Sequence, residues 1–145
     1  MIDQLILENK PSNYLVTSTD LNNRYSMVTK KICSEMNIKE DEILNNPDIR
    51  YTSLPLIDKT GKTVGSISNE DLLLNNYGLV NNVDSYKIGS EISINQIRDI
   101  IAFTQISAHK DKKLVIINDA SKMNKEASSA LLKTLEEVSS NCSFI

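Results

Sequence analysis

Residues 114–137 constrain the fold more than any other segment, because they join a buried strand, an acidic residue and a long helix. The run 114–117 (LVII) is apolar throughout and rich in β-branched residues, as is typical of a parallel strand covered on both faces. Asp119 follows at the carboxyl end, where ligands bind in open α/β sheets. Its carboxylate could hold a hydrated magnesium ion or polarise a water, or it could merely cap the turn. The segment predicts an α/β fold with a parallel sheet flanked by helices.

The helix after this strand is predicted to begin near Asn124, a favourable N-cap residue. Glu126 lies in the first turn, where the helix dipole favours negative charge. An apolar stripe then recurs at helical spacing and predicts the face that packs on the sheet. It consists of Ala127, Ala130, Leu131, Thr134, Leu135 and Val138. Lys133, Glu136 and Glu137 lie off the stripe, so we expect them on a solvated or partner-facing surface.

This helix also carries a family resemblance. Residues 127–137 (ASSALLKTLEE), after residues 118–120 (NDA), resemble the stretch after the Walker B strand in bacterial clamp-loader subunits of the AAA+ class. That family usually reads NALLKxLEEP here, so Ser129 replaces the Asn and Val138 replaces the Pro. A motif of this length is far more specific than a short glycine motif. The resemblance implies a P-loop NTPase fold of the AAA+ type.

Two shorter elements support the resemblance. Residues 92–98 (ISINQIR) resemble the family's IxVDQIR element, with Ser93 as the predicted N-cap of a helix that has Ile94, Ile97 and Ile101 on one face. Residues 46–48 (NPD), before an extended run at 49–54, resemble the family's HPD signal without its His. Arg98 either contacts a neighbouring subunit or neutralises Asp99 and the local surface. The family-motif residues that could contact a partner are Arg98, Ala130, Leu131, Leu132, Lys133, Glu136 and Glu137.

Nucleotide binding by this fold needs a phosphate loop, GxxxxGK[ST], between the first strand and its helix. The glycines let backbone N–H groups approach the phosphates, the Lys neutralises charge and the hydroxyl residue binds magnesium. The first strand is predicted at residues 13–17, and a helical pattern begins near Asn22. The intervening turn, residues 18–25 (STDLNNRY), therefore takes the place of the loop.

The turn at residues 18–25 has lost most of the phosphate-loop chemistry. Ser18 and Asn23 replace the two glycines, Arg24 retains a positive charge, and Tyr25 replaces the magnesium-binding hydroxyl residue. Side chains would fill the space that phosphate oxygens need. We therefore expect no ATP cofactor and interpret Asp119 as a vestigial Walker B acid.

A second short match, Gly61-Lys62-Thr63, reproduces the last three letters of the loop. The first glycine would fall at Leu56, and we expect no long helix to follow. A glycine between two extended runs, 54–57 and 63–67, instead favours a hairpin turn. A small NTPase that uses this site is retained as an alternative function.

The altered loop, the retained strand-end acid and the ALLKTLEE helix together resemble the delta-prime family of bacterial DNA polymerase III subunits. That resemblance implies a subunit without catalysis of its own, which acts as a rigid stator while the sliding clamp is loaded. It implies gamma or tau and delta subunits as partners, with contact to the clamp and primed DNA only through the complex. An ATP-hydrolysing gamma or tau subunit is the first alternative, and a scaffold domain related only by ancestry is another.

The remaining composition fits one packed domain in a reducing cytoplasm. Cys33 and Cys142 are distant in sequence, and with the lone His109 they cannot supply a tetrahedral zinc site, so we interpret both as buried small apolar residues. The net charge of -3 argues against a stand-alone nucleic-acid binder, and no apolar run has the length of a membrane span.

The resemblance also predicts the organisation of the chain. Residues 1–145 are expected to form an N-terminal AAA+-like domain, truncated before its last strand and the C-terminal lid and collar domains. An arginine-finger motif of the family would lie beyond Ile145. Residues 53–87 form a longer and more polar connection than the family usually has.

Overall fold

A computed structural model describes residues 13–57, 59–62, 87–137 and 141–145. Its main sheet has three parallel strands in the order β1-β4-β5, and a second, antiparallel sheet pairs β2 with β3. The strands are β1 Ile49–Thr52, β2 Leu56–Ile57, β3 Lys87–Ile88, β4 Lys113–Ile117 and β5 Cys142–Phe144. The helices are α1 Leu21–Met36, α2 Ile94–Gln105 and α3 Lys125–Glu137, with 3-10 turns at Glu40–Glu42 and Ala120–Lys122.

The main sheet is covered on both faces, as the apolar run of β4 predicts. Leu114 and Ile116 point to one face, where Ile32 of α1 completes a buried cluster. Val115 points to the other face, where Ile97 of α2 and other side chains from α2 and α3 form the second cluster. β4 therefore needs apolar residues at successive positions rather than at alternate ones.

The structure corrects the prediction of a strand at residues 13–17. The Tyr14 N–H donates to the Phe144 carbonyl over 2.8 Å, so this segment does lie beside β5, but no ladder forms. The Phe144 N–H is instead taken by the Asn13 side-chain oxygen at 3.1 Å. Leu15, expected at the strand centre, is 80% exposed. The Asn13 side chain thus accepts the hydrogen bond that a neighbouring strand would accept with a backbone carbonyl.

The small sheet of β2 and β3 projects from the carboxyl end of β1. Gly61 adopts φ +83 in an exposed turn, as expected for a glycine between extended runs. The predicted partner strand at 63–67 lies outside the described residues; among the described residues, β2 pairs with β3. The Gly89 N–H donates to the Pro55 carbonyl over 2.7 Å and fixes the base of this sheet.

Asp48 anchors the opposite, amino end of the main sheet. Its side chain is almost fully buried, and its two carboxylate oxygens accept the backbone N–H groups of His109 and Lys110 at 2.7 and 2.9 Å. Its own carbonyl accepts the Leu114 N–H at 2.9 Å. One carboxylate thus joins the start of β1 to the turn before β4. His109 lies in that turn with its side chain exposed, as predicted for a loop residue.

The two cysteines differ in their surroundings. Cys142 is buried in the second cluster, as predicted, and burial raises the pKa of its thiol. Cys33 is only half-buried beside the first cluster, so its interpretation as a fully buried residue is wrong. Both are free thiols.

Lys113 is also buried; its ammonium group donates to the Phe103 carbonyl near the end of α2 and lies 4.7 Å from the Phe103 ring centroid. In the described part of the chain, no helix combines the length and apolar character needed to cross a membrane.

Candidate functional site

A cavity of about 390 Å³ opens at the carboxyl end of β4, between residues 13–18, α1 and α3. Its position is the one at which open α/β sheets bind ligands. Its polar lining includes Ser18, Arg24, Asn118, Asp119 and Ser121, and its apolar lining includes Val16, Val28, Leu131, Leu135 and Phe144. Ser18, Arg24 and Asp119, which are separated in sequence, therefore line one site, as the motif alignment predicts. Gly61 and Lys62 are exposed and do not belong to this lining.

Asp20 occupies the N-terminus of α1 with its own carboxylate. The Oδ1 atom accepts the backbone N–H groups of Asn22 and Asn23 at 2.9 and 3.3 Å. N–H groups at the start of a helix have no partner within the helix, and they are the groups that would bind a phosphate. An anion from the chain itself therefore takes the place that a ligand anion needs.

Ser18 and Asn23, which replace the loop glycines, both contribute to this cap. The Ser18 hydroxyl oxygen lies 3.1 Å from the Asp20 nitrogen and carbonyl oxygen, and Asn23 supplies an N–H to the Asp20 carboxylate. Sequence reasoning missed Asp20, although an Asp directly before a helical pattern is an N-cap signal. The loop has become a conventional helix cap.

Arg24 and Asp119 face each other across the cavity. The Arg24 Nη1 atom lies 3.8 Å from Asp119 Oδ1, and the two side chains are 20% and 36% exposed. Asn118 Nδ2 donates to Asp119 Oδ2 at 3.2 Å. The Arg24 Nε is buried and has no hydrogen-bond partner among the described residues. The positive charge predicted at Arg24 is thus directed at the strand-end acid.

Asp119 has a left-handed backbone, φ 53 and ψ 49, which Asp and Asn tolerate better than other non-glycine residues. It precedes the 3-10 turn Ala120–Lys122, and its carbonyl accepts the Lys122 N–H at 2.8 Å. Its side chain makes no cap hydrogen bond. Of the two alternatives left open for Asp119, the turn is therefore capped by its backbone carbonyl, while the carboxylate is turned toward Arg24.

Tyr25, at the position of the magnesium-binding hydroxyl residue, packs against the first apolar cluster and is half-buried. Its ring belongs to the contact between α1 and the sheet. It is absent from the cavity lining. The site therefore brings together Ser18, Arg24 and Asp119, but not the Tyr25 side chain.

The other end of α1 has an ion-pair network of its own. Glu35 accepts hydrogen bonds from the Lys112 ammonium group and, at 2.7 Å, from the Tyr14 hydroxyl, while Lys31 lies at 3.4 Å. The Lys31 nitrogen also lies 3.7 Å from the Tyr14 ring centroid. Burial alone would raise the pKa of Glu35, but these hydrogen bonds and positive charges lower it below its ordinary value. The carboxylate is held ionised between three partners.

α2 begins at the carboxyl end of β1, beside the strand that carries the site. Gln96 accepts the Ser93 N–H at 3.0 Å and donates to the Ser53 carbonyl at 2.7 Å, which joins the helix to the end of β1. The Ser-x-x-Gln spacing is a capping-box signal that could have identified Gln96. Ile97, Ile100 and Phe103 are the buried residues of this helix, whereas Ile94 and Ile101 are half-buried.

The family-motif residues divide between core and surface. Arg98 is exposed and donates to Asn95 Oδ1 at 3.2 Å rather than pairing with Asp99. Leu131 is buried and Ala130 half-buried in the second cluster, as their place on the predicted stripe indicates, so Leu131 packs inside the domain rather than at a partner surface. Leu132 is 61% exposed. Exposed charges surround it: Lys133, Glu136 and Glu137. Asn124 caps α3 by accepting the Ala127 N–H at 2.9 Å, as predicted; Val138 lies outside the described residues.

Comparison with known proteins identifies the family. Residues 14–145 match the model of the family described as DNA polymerase III, delta subunit. A replication factor C small subunit from Methanosarcina mazei is 32% identical over 104 residues, which is 70% of this chain and 30% of that protein. A DNA polymerase III gamma subunit-related protein of known structure from Thermotoga maritima is 22% identical, with a TM-score of 0.37, over 83% of this chain and 37% of that chain.

The aligned regions cover only part of each similar protein. The chain spans 30% of the curated relative and 37% of the solved chain, so the likeness concerns one part of those proteins. The parallel sheet flanked by helices agrees with the AAA+ fold that the sequence predicts. The match over residues 14–145 covers nearly the whole chain, and the chain belongs to the DNA polymerase III delta-subunit family of clamp-loader proteins.

Proposed function

We propose that this chain is the first domain of a delta-prime-type clamp-loader subunit that neither binds nor hydrolyses ATP. The observation that carries the proposal is the Asp20 carboxylate on the first free N–H groups of α1. A nucleotide phosphate would have to displace this carboxylate and would be repelled by it at close range. The substitutions at Ser18, Asn23 and Tyr25 act in the same direction, because they remove the glycines and the magnesium ligand.

The proposed role is that of a stator in the cytoplasm: a subunit with one fixed shape against which ATPase subunits of the gamma or tau type work. Contact with delta, the sliding clamp and primed DNA would come through the assembled complex. The exposed strip of α3 formed by Leu132, Lys133, Glu136 and Glu137 is the proposed partner surface. An exposed leucine among charged residues is suited to an interface that combines an apolar anchor with a polar rim.

Titration calorimetry with a non-hydrolysable ATP analogue and magnesium tests the absence of nucleotide binding. We expect no binding heat at millimolar analogue, since the helix donors are already paired. A functional gamma or tau subunit serves as the positive control in the same buffer. Magnesium-dependent binding at low-micromolar affinity would contradict the proposal and favour the ATPase alternative.

The Lys62→Ala variant tests the remaining nucleotide alternative. Since Gly61 lies in an exposed turn outside the cavity, we expect wild type and variant to give the same calorimetric trace. Analogue binding by the wild-type protein that disappears in Lys62→Ala would identify a separate NTP site. It would overturn the stator assignment.

Co-purification with the other clamp-loader subunits tests the partner surface. We expect the wild-type protein to co-purify and Leu132→Glu to lose at least tenfold in affinity, because it places a charge in an apolar contact. Ser34→Glu is the matched control, since Ser34 is exposed on α1, on the other face of the sheet. Equal loss in both variants, or none in either, would place the interface elsewhere. Asp119→Asn should leave assembly almost unchanged.

A further inference from the structure

The two ends of α1 are tied to the two ends of β4 by ion pairs of opposite polarity. Arg24 in the first turn of α1 faces Asp119, just after β4, at 3.8 Å. Glu35 in the last turn of α1 accepts a hydrogen bond from Lys112, just before β4. α1 runs antiparallel to β4, so each tie joins neighbouring ends. The pattern uses one cation and one anion on each element.

Arg24 and Glu35 each lie at the end of α1 where the helix dipole disfavours their charge. The helix dipole disfavours a cation in the first turn and an anion in the last turn. The Asp20 carboxylate at the N-cap offsets part of this at the start of α1, whereas the last turn has no base. Arg24 therefore has its partner, Asp119, outside the helix, and Glu35 has Lys112 outside the helix in addition to Lys31 within it.

The ties also hold the segment that leads into α1. The Tyr14 hydroxyl donates to Glu35, and the Lys31 ammonium group lies over the Tyr14 ring. Residues 13–17 form no strand ladder, and Leu15 is exposed. The Glu35 network holds the start of this segment together with the bonds of Asn13 and Tyr14 to Phe144, and the Arg24 pair holds its end.

We propose that these two ties act as one clamp that holds residues 14–24 and α1 in a single conformation without any bound ligand. The inference rests on the proposed absence of nucleotide binding, because a nucleotide would otherwise supply the link between this loop and the end of β4. A stator needs one fixed conformation, and the clamp would supply it. Its surface beside the cavity keeps the same shape throughout the ATP cycle of its neighbours.

Amide hydrogen exchange of peptides covering residues 13–25, measured on the whole protein without nucleotide, tests the clamp. Arg24→Met is expected to speed exchange about two- to fivefold, the range for a partly exposed ion pair. Glu35→Gln, which removes charge but keeps shape, is expected to speed it about three- to tenfold, since several charged hydrogen bonds weaken. Lys30→Ala, an exposed cation on the same helix, is the control and should exchange like wild type.

A double-mutant cycle distinguishes the direct Arg24–Asp119 interaction from independent destabilisation by each substitution. Asn suits the left-handed backbone at position 119, so Asp119→Asn removes the charge without adding strain. The double variant Arg24→Met with Asp119→Asn should exchange no faster than the faster single variant.

Two outcomes would overturn the clamp: rates that multiply in the double variant, or faster exchange of residues 13–25 in only one of the variants Arg24→Met and Glu35→Gln. Binding of magnesium-ATP analogue by the wild-type protein would instead overturn the proposed function. That result is independent of exchange rates measured without nucleotide.

Discussion

Replacing Asp48 by Ala is expected to destabilise the protein by about 2–4 kcal/mol, the largest loss from any single polar side chain described above. Its carboxylate accepts two backbone N–H groups, of His109 and Lys110, in a part-buried turn. Removal leaves both donors without their partner and frees the turn that precedes β4. Urea unfolding measures the loss as a lower midpoint at unchanged slope.

Asp111→Ala is the matched control for this experiment, because Asp111 is an exposed acid in the same turn. Its effect should stay within about 0.5 kcal/mol, as for ordinary surface substitutions. Asp48→Asn should lie between the two, since its amide keeps one oxygen as an acceptor. A midpoint for Asp48→Ala equal to that of the control would contradict the anchoring role.

Replacing Gly89 by Ala is expected to cost about 1–3 kcal/mol, the usual range for overpacking. A Cβ atom there would lie 2.6 Å from Pro55 Cγ, 3.0 Å from Cδ and 3.3 Å from the Pro55 carbonyl oxygen. The proline ring cannot rotate away, so the base of the β2 and β3 sheet must shift. Thermal unfolding gives the size of the loss, and amide exchange at residues 87–92 should show that it is local.

Two further variants separate this clash from backbone strain. Gly61→Ala places a Cβ in open space at φ +83, so it should cost only the left-handed penalty of about 1–2 kcal/mol. Pro55→Ala with Gly89→Ala removes the two closest atoms, Cγ and Cδ of the ring, and should be more stable than the sum of the single effects implies. Additive losses would show that the Gly89 position is sensitive for another reason.

The elements that sequence reasoning predicted correctly are those with local signals. β4 follows from four consecutive apolar residues, and α3 from Asn124 and a helical stripe that needs only its own spacing. The convergence of Ser18, Arg24 and Asp119 followed from a known motif order, because that order fixes which strand ends meet. These features require no knowledge of distant contacts.

The features that sequence reasoning missed depend on partners far away in the chain. Asp48 binds backbone groups 61 and 62 residues later, which no pattern of residue types reveals. Residues 13–17 form no ladder with β5, and the Phe144 N–H donates to the side chain of Asn13, 131 residues earlier, rather than to a strand carbonyl. Leu131 lies in the core, as its place on the helical stripe predicts, although the family motif also counted it among possible contact residues, since a motif does not state which face of a helix is buried.

The charges at the ends of α1 also have a consequence for how the protein folds. Even with the Asp20 cap, α1 has charges at Arg24 and Glu35 that its own dipole disfavours, and helix formation in isolation is costly to nucleate. We therefore expect α1 to gain much of its stability when β4 brings Lys112 and Asp119 to it. Its formation belongs to the cooperative step that assembles the sheet.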